Sequence, residues 1–189
     1  MDNTTRGESG LKKEIRLYNL LFPVWMLWLI PVTWLIILPA NFLIDSLVLL
    51  AALKITRQKD VFGIYKKSIL KVYGFGFLAD FAGVAVLLLF DRLIITLADP
   101  RFGAFGETMD YIRLCVEYSP FNHICALIVV LFAVAVSAFL IYQLNLHVTF
   151  QKLDAADREK RILARSLAIL TAPYLILLPY GFYASLLNL

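Results

Sequence analysis

Of 189 residues, 61% are hydrophobic and 17% charged, and the mean hydropathy is +0.78; an ordinary globular domain is about half apolar and a quarter charged. This balance excludes a separate soluble domain and predicts an all-α, polytopic membrane helical bundle occupying 1–189 as a single integral domain. The net charge of +4 and pI near 9.1 fit the lipid bilayer as partner and not nucleic acid, because the bases are divided among short segments.

Residues 1–16 carry Arg6, Lys12, Lys13 and Arg16 and read as a cytoplasmic tail. The 37 residues from there to Lys54 hold a single charge, Asp45. As one helix they would run ~55 Å, too long for one upright crossing of a ~30 Å hydrocarbon core and too short for two. The next segment, 57–71, is basic, with Lys59, Lys66, Lys67 and Lys71 assigned to lipid headgroups. Lys and Arg collect on the cytoplasmic side, so both flanks read as inside and the chain must double back. A tight hairpin is therefore expected at Leu38-Pro39-Ala40-Asn41, separating spans at 17–38 and 41–56. The alternative is one tilted, Pro-kinked crossing and four spans in all. A retained signal anchor fits the opening apolar run better than a cleaved signal, whose core is shorter.

Phe62, Tyr65, Ile69, Val72 and Tyr73 recur at helical spacing among the lysines, which predicts an amphipathic segment at the headgroups before a third span at 72–98. The external loop, 99–122, is poor in bases, and a fourth span at 123–146 returns inward. A second basic cytoplasmic loop covers 147–161, where Asp154 reads as a helix N-cap and Asp157 as a first-turn acid. A fifth span at 162–187 leaves the N-terminus inside and the C-terminus outside, with the cytoplasmic (plasma) membrane as the expected location. Cys115 and Cys125 read as unpaired thiols. Trp34 suits an interfacial belt, whereas Trp25 and Trp28 lie too deep in the first span.

Asp45 and Asp80 are the only charges in the apolar stretches 17–53 and 72–90, where a carboxylate costs a few kcal/mol, so they are functional-site candidates by default, with Asn41 one turn from Asp45. Counted at 1.5 Å per residue from Pro39 and Lys71, Asp45 is expected ~9 Å below the outer surface and Asp80 ~13 Å above the inner one. The two acids then share a polar interior without touching, faced by Thr171, Ser137 and Tyr142. Gly76, Ala79 and Gly83 form a small-residue face that admits a neighbouring helix. Pro23, Pro31, Pro173 and Pro179 are expected to kink or unwind their helices and free carbonyls.

No catalytic, metal or cofactor site is expected. The run Tyr73–Asp80 departs from the Gly-x-Gly-Asp signature of intramembrane aspartyl proteases, because Asp80 follows Gly76 by four residues and Asp45 has no companion tyrosine. His123 and His147 are 24 residues apart, which places them ~36 Å apart on one helix. The leading expectation is a non-enzymatic subunit, scaffold or accessory factor acting through helix contacts with other membrane proteins or its own copies. The alternative is a small transporter or channel component working through Asp45 or Asp80.

Overall fold

The computed structural model describes residues 31–180 and 182, and these are predominantly helical, without strands. Five α-helices follow one another: α1 (Pro31–Ile55), α2 (Val61–Leu97), α3 (Ala104–Tyr118), α4 (Ile124–Leu144) and α5 (Asp157–Leu170). Among the described residues three helical stretches are long and apolar enough to cross a membrane, within α1, over all of α2, and from Ile124 to Thr149. The predicted tail at 1–16, most of the span at 17–38, and Pro23, Trp25 and Trp28 lie outside the described residues.

The hairpin expected at Leu38–Asn41 is absent. α1 runs unbroken through Pro39, so the predicted spans at 17–38 and 41–56 meet inside one helix. Pro39 removes one helical hydrogen bond, but a reversal at this point would strip several backbone groups of their partners in an apolar surrounding, which costs more. The turn comes at Arg57 instead. Its amide bonds Lys54 O and the Gln58 amide bonds Leu53 O, with Arg57 itself at φ 54°, the left-handed residue of a Schellman stop.

The basic segment at 57–71 is likewise mostly helix. Asp60 caps α2 by accepting from the Gly63 amide at 2.9 Å, and a side chain at Gly63 would occupy the position of that carboxylate. The amphipathic turns expected at the headgroups are therefore the opening of α2, which at 37 residues extends ~55 Å and overshoots a ~30 Å core. The segment expected as an external loop, 99–122, holds α3, flanked by single 3-10 turns. α4 and the π-turn that continues it to Thr149 cover the region expected as a helix at 123–146. Ala156, not Asp154, occupies the N-cap of α5, because the chain becomes helical only at Asp157. The continuous helix expected at 162–187 also fails: α5 ends at Leu170, and a 3-10 turn over Tyr174–Leu177 follows a break at Thr171–Pro173.

α2 is the central element, packed most extensively on α4 and also against α1 and α3, while α5 closes against α4 and α1. One apolar core joins Leu49, Leu53, Val72, Ile141, Phe150 and Leu167 at the end where α1 turns into α2. A second joins Leu87, Ile112, Val116, Val130 and Ile176 at the opposite end, beneath α3. Gln58 bonds Glu159 at 2.9 Å, so the first connection and the start of α5, the two basic parts of the described chain, lie at the same end. Large apolar side chains coat the outside, with Leu70, Leu89, Ile124 and Phe132 among the exposed ones, far more than a surface facing water tolerates.

Candidate functional site

Between the two cores lies a layer of small and polar residues. Ala79 and Ser137 are fully buried there, and Ser137 Oγ donates to Ala79 O across the α2–α4 contact at 2.9 Å. A Cβ at Gly83 would strike Ser137 Oγ, so the helices meet at that glycine. Gly76 faces α1 instead, where a Cβ would stand 3.4 Å from Asp45 Oδ2. The small-residue face Gly76, Ala79 and Gly83 thus lies inside the bundle and is divided between two neighbours. Ser137 serves this contact, and Tyr142 packs against the core at the basic end.

A cleft of about 330 Å³ opens beside this layer, and Asn41, Asp45, Asp80 and Thr171 all line it. The continuity of α1 changes the depth of Asp45. It sits level with Gly76, five residues beyond Lys71 or ~7.5 Å along α2, and therefore on the basic side of Asp80 instead of nearer the opposite surface. Asp45 and Asp80 are each 5% exposed. Asp80 Oδ1 is fully buried and has no hydrogen-bond partner among the described residues, a position that costs free energy unless a proton or a ligand fills it. Among the described residues no Lys, Arg or His lines the cleft to balance the two acids.

The third wall is the break after α5. Pro173 has no amide with which to reach Ile169 O, as a continuing helix would require. The Tyr174 hydroxyl donates to Ile169 O at 2.6 Å instead, while the Thr171 amide and hydroxyl both bond Leu167 O. Side-chain hydroxyls thus hold irregular backbone at the level of the buried acids, which apolar surroundings permit only where such backbone lines a cavity or is buried. The prolines flag an interruption in the sequence. Tyr73, Phe77 and Tyr174, the aromatic residues of the lining, carry no local signal because the contacts that gather them are long-range.

The expected headgroup lysines, Lys59, Lys66, Lys67 and Lys71, are all exposed, and Lys66 lies 4.6 Å over the Phe62 ring. Three buried polar residues carried no signal in the sequence: Ser68, Asn145 and Glu117. Asn145, fully buried in the π-turn, bonds Ile141 O and accepts from Thr149. Glu117 pairs with Arg113 one turn away on α3 at 2.8 Å, and Arg113 also reaches Asp91 on α2 at 3.5 Å. Among the described residues no three His, Cys, Asp or Glu converge as metal ligands, and Cys115 and Cys125 are both free. No protein-family model, characterised protein or solved structure matches the chain, so its function is to be read from the residues of the cleft.

Proposed function

We propose that the chain is a multi-pass membrane protein, with the basic end of the bundle cytoplasmic, that works as a small transporter or channel component through Asp45 and Asp80. One observation carries this reading: Asp80 Oδ1 is buried without a partner among the described residues, in a cleft whose far wall is an interrupted helix. Intramembrane acids that merely hold helices together are satisfied by neighbours, whereas those on an ion or proton path keep a coordination position open. Broken helices beside such acids supply free carbonyls, and the C-terminal end of α5 adds negative potential that favours a cation.

Reconstitution into liposomes tests it. A cation or proton gradient should drive flux through the wild-type chain, and Asp80→Asn should abolish that flux while the protein remains folded in detergent. Flux equal to that of protein-free liposomes, or unchanged in Asp80→Asn, overturns the reading. A scaffold or accessory role is favoured by Ser46 and Ser137, whose hydroxyls spend themselves on contacts within the chain. In that case Asp45→Asn and Asp80→Asn lower thermal stability with no dependence on ions.

A further inference from the structure

The shape and lining of the cleft narrow what it accepts. This step rests on the cleft being a ligand site, as the proposed function also requires. At about 330 Å³ it lies at the lower edge of small-molecule pockets and holds roughly ten times the ~30 Å³ share of a water molecule. A bare metal ion would leave most of it empty. Anions are repelled by both acids and by the negative end of α5.

The rest of the lining is apolar or aromatic. Ile44, Leu170 and Leu178 contribute aliphatic surface, and Tyr73, Phe77 and Tyr174 contribute rings. Acids with no neighbouring base and rings that attract a cation through their faces are the two devices by which proteins hold ammonium groups. We infer that the cleft binds a small lipophilic organic cation, its ammonium group between Asp45 and Asp80 and its apolar body against Tyr73, Phe77 and Tyr174. Binding of that head group supplies the partner that Asp80 Oδ1 lacks. In the absence of the cation, the titratable groups facing Asp80 across the cleft are Asp45, Tyr73 and Tyr174, so a proton is the remaining means of neutralising the acids, and cation and proton exclude one another.

The test uses the full-length chain in lipid nanodiscs and measures equilibrium binding of benzyltrimethylammonium beside neopentylbenzene, its uncharged isostere. Saturable binding of the cation, weakened by about tenfold or more on acidification and in Asp80→Asn, is expected, with the neutral compound at least about tenfold weaker. Should Asp80→Asn fail to fold, Leu178→Trp, which keeps both acids and fills the apolar part of the cleft, must abolish binding. Equal binding of the two compounds, or no saturable binding by the wild type, overturns the inference. Liposome flux that depends on Asp80 without binding of the organic cation leaves the transport reading standing and removes only this one. Binding without flux does the reverse.

Discussion

Arg113 answers to three carboxylates, lying 2.8 Å from Glu117, 3.2 Å from Asp110 and 3.5 Å from Asp91. One guanidinium cannot balance three negative charges, and Glu117 is the most enclosed of the acids. Burial pushes its carboxyl up from 4.5 to about 7; the Arg113 charge opposes this, while the charge and hydrogen bond of Asp91 and the charge of Asp110 add to it. The native state then holds this proton more tightly than the unfolded chain does. Its stabilising effect is complete below the ordinary carboxylate range and is lost as pH rises towards about 7. Between about pH 5 and pH 8 the wild type should lose thermal stability in detergent, and Glu117→Gln should flatten that slope and exceed the wild type at the alkaline end. A parallel slope in the variant would show that Glu117 is not the group responsible.

At the scale of helices, the α2–α4 contact depends on a missing side chain. Gly83→Ala places a methyl group against Ser137 Oγ, with Ala133 O only 3.3 Å away, and overpacking of this kind costs about 1–3 kcal/mol. Ser137→Ala should cost about 0.6 kcal/mol, the average for a hydrogen bond between membrane helices. In the double variant the new methyl group loses its closest obstacle, so the combined loss in unfolding experiments should fall short of the sum by about 1 kcal/mol. Strict additivity would mean that the helices do not meet at this glycine.

Which elements were legible depends on whether local chemistry decided them. α4 could be placed within a few residues because 34 uncharged residues precede Lys152 and nothing inside them competes with a helix. Asp80 stood out as a lone acid in an apolar run. The hairpin followed from reading the bases on both flanks of 17–53 as lying on one side, with Pro39 marking its place; in apolar surroundings reversing the chain there costs more than one lost bond, and α1 runs through. Thr171–Pro173 could be seen as an interruption. That it faces Asp45 depends on packing between α1 and α5, which no local spacing records.

For the molecule as a whole, charge distribution and connectivity agree. Lys54, Arg57 and Lys59 near the first connection, Lys66, Lys67 and Lys71 on the early turns of α2, and Lys152, Arg158, Lys160 and Arg161 around the start of α5 belong to one end, whereas Arg92, Arg101 and Arg113 belong to the other. With α1, α2 and α4 as the crossings, both basic regions fall on one side and α3 on the opposite side. In a Cys115→Ser, Cys125→Ser background, single cysteines at Lys59 and Asp157 should therefore react with an impermeant maleimide from the same face, and one at Glu107 only from the other. Labelling of Lys59 and Glu107 from one face would refute this arrangement.

The division of the interior into two apolar cores has a mechanical consequence. Leucine and phenylalanine side chains interlock within each core, but Gly76, Ala79, Gly83 and Ser137, between the cores, present surfaces too smooth to lock. α2 and α4 nevertheless run unbroken through both cores, so the close approach at Gly83 and Ser137 couples them, and a bulkier side chain there would be felt at both ends of the bundle.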